Sequence, residues 1–181
     1  MKQLKFIVLL VATFTSLGAY ATGCTDDNKC NYTYKNATAY RMDKVQPSGP
    51  GSFPISLAPG FQENYPTQSS SIEDVNSDDA CKSYQFVTTL VYALPRAPSA
   101  SPNVVPTCAF TIAMACGGAD VTAEGKKYWV GLVSNPTSPL LYCQNLKPSA
   151  KPILQLEPTD HIATVNGKEF YQNIKYTLII K

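Results

Sequence analysis

The sequence has one histidine, one tryptophan and few signs of helix. A single histidine, His161, excludes the metal motifs that need two histidines on one helix. The chain also lacks a G-x-S-x-G nucleophile turn and any C-x-x-C pair, so the common hydrolase and zinc or redox signatures are missing. The 14 prolines interrupt most of the segments in which apolar residues could follow helical spacing. These absences favour a β protein without a recognisable catalytic motif.

The N-terminal residues predict a cleavable signal peptide over 1–21, followed by one domain over 22–181. Lys2 and Lys5 precede an apolar run over 6–12, and Ala19-Tyr20-Ala21 matches the small-residue cleavage site. The apolar run is shorter than the roughly 20 residues that span a bilayer. We therefore expect a secreted or periplasmic protein that does not insert into a membrane after cleavage.

A lipid anchor is the competing interpretation of the same segment. Ala21-Thr22-Gly23-Cys24 loosely matches a bacterial lipoprotein box, in which the cysteine receives the lipid. Lipidation of Cys24 would leave an odd number of cysteines in an oxidising compartment, which favours the soluble form.

The net charge of the predicted mature chain is close to zero. Without Lys2 and Lys5 the basic residues fall from 15 to 13, which equals the number of acidic residues. This balance removes the main electrostatic reason to expect a nucleic-acid partner.

Alternating apolar residues predict several β-strands. The alternation is clearest at the C-terminus, in the set Phe170, Gln172, Ile174, Tyr176, Leu178 and Ile180. Asn166-Gly167 just before it favours a two-residue hairpin turn. The segment 108–116 alternates in the same way, with an Ala and Thr face that indicates cover on both sides. Further short strands are predicted within 32–42, 53–57, 82–94, 128–133 and 140–143.

These strands and their polar connections predict an all-β fold. We expect an antiparallel β-sandwich, immunoglobulin-like or jelly-roll-like, with a small β-barrel as the alternative. The connections over 62–79 and 95–106 are long, and long loops are common places for binding. The sequence resembles no family closely enough to name one.

Six cysteines predict three disulfides: Cys24, Cys30, Cys81, Cys108, Cys116 and Cys143. Cys108 and Cys116 at the two ends of one strand would lie roughly 26 Å apart, at about 3.3 Å per residue, and cannot bond each other. Cys24–Cys30 is the easiest local pair, and Cys81–Cys116 with Cys108–Cys143 is one possibility for the rest.

An acidic loop gives a weak calcium hypothesis. Asp74, Asn76 and Asp78 follow the D-x-N-x-D spacing, with Asp79 beside them. Asp79 occupies the sixth position of this loop pattern, where an EF-hand has glycine, and neither flanking segment has the apolar spacing of a helix. A solvated acidic loop without a cofactor is the simpler interpretation.

Aromatic and glycosylation patterns give weak hints about binding. Lys127, Tyr128 and Trp129 combine charge with the single tryptophan and could contact a glycan or a protein, although Trp129 is more simply a core residue. Asn31-Tyr-Thr33 and Asn36-Ala-Thr38 match the N-glycosylation acceptor pattern.

The function favoured by these observations is an exported, non-enzymatic binding protein whose partner is an unidentified protein or glycan. One alternative is a small secreted hydrolase that uses His161. The other is an envelope structural protein anchored by lipid at Cys24.

Overall fold

The computed structural model describes residues 30–46, 53–66, 86–98, 103–122, 125–134 and 140–181. These residues form ten β-strands and no helix. The strands are β1 Asn31–Asn36, β2 Met42–Gln46, β3 Ser56–Leu57, β4 Gln62–Pro66, β5 Phe86–Ala93, β6 Thr107–Thr122, β7 Gly125–Val133, β8 Leu141–Gln144, β9 Pro152–Val165 and β10 Lys168–Ile180. The all-β prediction is confirmed, and none of the described segments is a helix suited to crossing a membrane.

Strand pairing connects all ten strands into one mixed sheet that nearly closes into a barrel. The order is β3-β2-β5-β6-β7-β10-β1-β4, with β8 added beside β6 and β9 beside β10. The prediction of a purely antiparallel sheet is wrong, because β1 runs parallel to β10, with Asn31 opposite Asn173 and Asn36 opposite Leu178. A two-sheet sandwich is not confirmed, since the described strands form one continuous sheet.

The C-terminal hairpin is confirmed. Asn166 and Gly167 adopt φ of 50° and 75° and form the turn between β9 and β10. These left-handed values match a type I′ turn, which suits the twist of the strands it joins. The partner strand is long, because β9 pairs with β10 from Val165 back to Pro152.

An aromatic cluster occupies the centre of the core. Phe110 on β6 stacks on Tyr176 of β10 and on Tyr92 of β5, with ring centroids 5.8 Å apart in both pairs. Tyr34 on β1 stacks on Tyr176 at 6.0 Å. These rings come from alternate positions of their strands, as a pleated sheet with one face in the core requires. Aromatic pairs of this geometry add about 0.5–1.5 kcal/mol each beyond the area they bury.

The strand β6 is buried on one face and partly covered on the other, so the prediction of cover on both sides is confirmed in part. Cys108, Phe110, Ile112, Met114 and Cys116 are buried in the main core. On the opposite face, Ala113 packs in a second cluster with Val165 and Phe170 of the hairpin. A Cβ on Gly117 would lie 3.0 Å from the Phe170 ring, so glycine permits this close approach.

One predicted loop is in part a strand. Residues 62–66 form β4, an edge strand antiparallel to β1, although we assigned 62–79 to a loop. The sequence of β4, Gln-Glu-Asn-Tyr-Pro, has a low strand propensity. Its pairing with β1 therefore comes from tertiary contacts.

Candidate functional site: a cationic loop cleft

Three loops meet beyond the C-terminal ends of β1, β3 and β5. Backbone hydrogen bonds join them to the sheet: Ala37 N–H donates to Leu178 O at 2.9 Å and Gly60 N–H donates to Asn36 O at 2.7 Å. Between the loops lies a cleft of about 280 Å³. Its lining residues, which define the loop cleft, are Ala39, Tyr40, Arg41, Pro59, Pro95 and Arg96.

Asn36 at the end of β1 holds two of these loops together. Its side chain is fully buried, and its amide donates to Tyr40 O at 2.6 Å and Leu57 O at 2.9 Å. Its carbonyl oxygen accepts from the backbone N–H and the hydroxyl of Thr38, at 3.0 Å and 2.7 Å. Both amide hydrogens and both lone pairs are used, so this buried polar group is fully satisfied.

The Asn36-Ala-Thr38 pattern is therefore a structural turn. Asparagine and threonine side chains commonly bond to backbone groups two residues away, as Asn36 and Thr38 do here. Because the Asn36 amide nitrogen is buried and donates two hydrogen bonds, the folded chain does not present it for glycosylation.

Arg41 enters the cleft with a fixed guanidinium. Its Nε and Nη2 both donate to Asp43 Oδ2, at 2.9 Å and 2.6 Å, and Ser56 donates to Asp43 Oδ1 at 2.7 Å. These bonds lower the pKa of Asp43, the hydrogen bond from Arg41 being the largest cause. The Arg41 side chain is still 60% exposed, so much of its donor capacity faces water.

Arg96 contributes a second charge from an unusual backbone conformation. Ala97 N–H donates to Leu94 O at 3.0 Å, which closes a four-residue turn with Pro95 and Arg96 at its centre. Arg96 has φ of 69°. Proline followed by a positive φ is the pattern of a type II turn, in which glycine or asparagine is preferred at the second central position. Arg96 forms no ion pair within the part of the chain that the structure describes.

Tyr40 and the two prolines form the apolar walls of the loop cleft. Tyr40 is half-buried and packs against the main core, while the Asn36 amide donates to its carbonyl oxygen. Pro59 and Pro95 have restricted backbones and no N–H groups. The cleft thus combines a partly exposed aromatic ring, rigid apolar walls and two arginines.

Three lysines lie on segments near the Arg96 turn or at the same end of the sheet. Lys147 N–H donates to Pro98 O at 3.1 Å, which places the loop after β8 beside the Arg96 turn. Lys151 and Lys181 exchange backbone hydrogen bonds at the same end of the sheet. Arg41 and Asp43 form an ion pair of no net charge, so the uncompensated charge among the lining residues belongs to Arg96, and this charge favours an anionic partner.

The disulfide prediction is confirmed for one pair. Cys108 and Cys143 are directly opposite on β6 and β8 and are bonded, with Cα atoms 4.1 Å apart. Cys30 and Cys116 are buried and also disulfide-bonded. Cys24 and Cys81 lie outside the described residues, so the prediction of three disulfides stays a prediction.

The side chains behind the calcium and aromatic hypotheses lie outside the described part of the structure. Asp74, Asn76, Asp78 and Asp79 lie within the segment 67–85, which the structure does not describe. Within the described ranges, no cluster of three histidine, cysteine, aspartate or glutamate side chains could hold a metal ion. Lys127, Tyr128 and Trp129 lie on β7, but their side chains are not among those described.

His161 lies on β9, far along the chain from the loop cleft. Its exposed ring makes an edge contact with Tyr171, with centroids 5.4 Å apart, and Nε2 is 3.1 Å from the Thr164 hydroxyl. Within the described residues no carboxylate bonds to this ring, so no acid–base pair is assembled there. The hydrolase alternative gains no geometric support.

The searches for related proteins returned nothing: no family model, curated protein or solved structure matches this chain. Its function must therefore be inferred from its own geometry.

Sequence reasoning missed the residues that build the cleft. The long connection at 95–106 was predicted as a binding loop, and the Arg96 turn lies at its start. Arg41 and Arg96 are separated by 55 positions and share no motif, so nothing local indicates that they line one cleft. The Asn36 pattern was visible, but it matched a glycosylation acceptor.

Proposed function

We propose that this chain is an exported, non-enzymatic binding protein that holds a protein or glycan partner in its loop cleft. The observation that supports this function is the cleft itself, because two arginines and a half-buried tyrosine line it and a buried asparagine holds two of its three loops together. Preformed concave sites with few polar groups are typical of ligand binding.

Export is part of the same proposal. The signal-like segment over 1–21 and the disulfide between Cys108 and Cys143 both suit an oxidising compartment. We propose three disulfides in the mature protein and a sandwich-like packing of the aromatic core across the curved sheet. Thiol titration of the protein recovered from its natural location should find no free cysteine.

A cleft-blocking variant tests the binding proposal. The purified, oxidised protein is screened against immobilised glycans and proteins, and every ligand found is retested on Ala39→Trp. Ala39 is exposed and lines the cleft, so the indole should fill it and abolish binding. The matched control is Ala37→Trp, an equally exposed position that does not line the cleft. A ligand that binds Ala39→Trp as well as the parent would place the binding site elsewhere.

Intact mass separates the soluble form from the lipid-anchored alternative. The proposal expects a mature protein that begins at Thr22 and carries no added mass. A lipid-modified chain beginning at Cys24 would instead support an envelope structural role.

A further inference from the structure

The charge and shape of the loop cleft narrow the class of ligand. We propose that the cleft binds one anionic sugar residue of a glycan, with its carboxylate or sulfate held by Arg41 and Arg96 and its ring against Tyr40. This inference rests on the proposed function, since it assumes that the cleft is the binding site.

Arg41 is prepared to receive an oxyanion. Two of its nitrogens, Nε and Nη2, donate to Asp43, which limits the orientations of the guanidinium and also pairs its charge. Its remaining nitrogen, Nη1, has no hydrogen-bond partner among the described residues. Arginine presents planar donors that match carboxylate and sulfate-like oxygens, and a pre-oriented fork loses less entropy for each bond formed.

The backbone conformation of Arg96 supports a functional role for its side chain. The left-handed backbone of Arg96 costs free energy that glycine or asparagine would avoid. Such outliers cluster at binding and catalytic sites. No described carboxylate compensates the charge of Arg96, and no described side chain bonds to it, so its donors are available to a ligand.

The cleft fits a sugar ring better than an extended acidic peptide. Its volume of about 280 Å³ lies at the small end of ligand sites. All six lining residues lie in loops, so the cleft offers no strand edge for a peptide to extend. Pro59 and Pro95 provide no N–H donors, whereas the half-buried Tyr40 offers a ring against which the C–H face of a sugar can pack.

Binding of the intact oxidised protein to four probes tests this proposal. Calorimetry compares oligogalacturonate, a sulfated dextran oligomer, neutral dextran and polyglutamate. We expect binding of one or both anionic sugars, no binding of neutral dextran, and affinity that falls as salt rises, because exposed charges are screened. Oligogalacturonate carries carboxylates and the sulfated dextran carries sulfates, so comparing the two shows which anionic group the cleft prefers.

Variants assign the binding to the cleft. Arg96→Asn removes the guanidinium while suiting the positive φ, and we expect the affinity for the anionic sugar to fall at least tenfold. Arg96→Lys should retain only part of the affinity, since it keeps the charge and loses the fork. The matched control is Lys168→Asn at the tip of the β9–β10 hairpin, which should bind like the parent. Thermal melts show that each variant is folded.

Several results would overturn the proposal. It fails if neither anionic sugar binds at millimolar concentration, if polyglutamate binds as tightly as the sugars, or if Arg96→Asn binds like the parent. Failure of the proposed function is a different result, namely a ligand whose binding Ala39→Trp leaves intact. If the ligand is a protein and Ala39→Trp abolishes its binding, the proposed function stands and the proposal of an anionic sugar is rejected.

Discussion

The side-chain amide of Asn36 donates a 2.9 Å hydrogen bond to the carbonyl oxygen of Leu57, 21 residues further along the chain. The bond joins the end of β1 to β3, and the same amide reaches Tyr40 in the loop cleft. Two of the loops that form the cleft are therefore held by one buried side chain that does not itself line it.

Asn36→Ala should destabilise the protein by about 3 kcal/mol. The substitution removes the side-chain donor of the Leu57 carbonyl and the acceptor of the Thr38 N–H, whereas the Thr38 hydroxyl can still donate to Tyr40 O. Each buried unsatisfied group costs about 1–3 kcal/mol. Urea unfolding measures the change, and Asn103→Ala, at an exposed position, serves as the control and should stay within about 0.5 kcal/mol of the parent. A loss of less than about 1 kcal/mol for Asn36→Ala would show that the loops are held by other contacts.

Removal of two buried tyrosine hydroxyls should change the free energy of unfolding by different amounts. The Tyr32 hydroxyl donates to Ala113 O at 3.1 Å, whereas the Tyr34 hydroxyl has no partner among the described residues. Tyr32→Phe should therefore lose about 1 kcal/mol. Tyr34→Phe should be neutral or stabilising, because it removes a desolvated hydroxyl that forms no bond. Denaturant midpoints compare the two variants, and equal losses would contradict the difference in bonding.

The Cys108–Cys143 bond should contribute substantially to stability. It closes a loop of 35 residues, and the chain-entropy relation gives about 4 kcal/mol for that length at room temperature. The double variant Cys108→Ser and Cys143→Ser should lower the free energy of unfolding by roughly this amount. Calorimetric unfolding checks it, and a melting temperature unchanged from the parent would mean that the bond adds little to the pairing of β6 with β8.

Alkaline pH should unfold the protein through its buried tyrosines. Burial raises the pKa of Tyr32, Tyr34, Tyr92 and Tyr176 well above the ordinary value near 10. A raised pKa in the folded state gives stability that is complete below the unfolded pKa and is lost as pH rises through the folded pKa. The loss above pH 10 is about 1.4 kcal/mol per pH unit for each such tyrosine.

The measurement for this prediction is ultraviolet absorbance of phenolate followed together with circular dichroism. We expect the phenolate of the buried set to appear in the same pH range in which the sheet signal is lost. Ionisation of every tyrosine before any loss of sheet signal would contradict the burial of these rings.

Short sequence patterns predicted the elements that depend on neighbouring residues, namely the β9–β10 turn and the strand β6. The hairpin turn was predictable because Asn166 and Gly167 are the residues that adopt positive φ at least cost, and the flanking alternation fixes which side chains enter the core. The small residues of β6 predicted a covered second face, and the structure covers that face around Ala113.

Contacts between distant residues could not be predicted in this way. The parallel pairing of β1 with β10 depends on the closing of the whole sheet, and β4 has almost no intrinsic strand preference. Pro95-Arg96 reads as an ordinary turn, since the positive φ of Arg96 appears only in three dimensions. The cleft was hidden for the same reason, because its two arginines meet through tertiary structure alone.

The parallel pairing of β1 with β10 also determines when the sheet can be completed. Asn31 lies opposite Asn173, so the ribosome must synthesise nearly the whole sequence before β1 can pair with β10. Until then β1 lacks one of its two adjacent strands, and loop closure over that distance slows folding. The barrel-like sheet therefore stays incomplete, and β1 keeps one unpaired edge, until the last strand of the chain has been made.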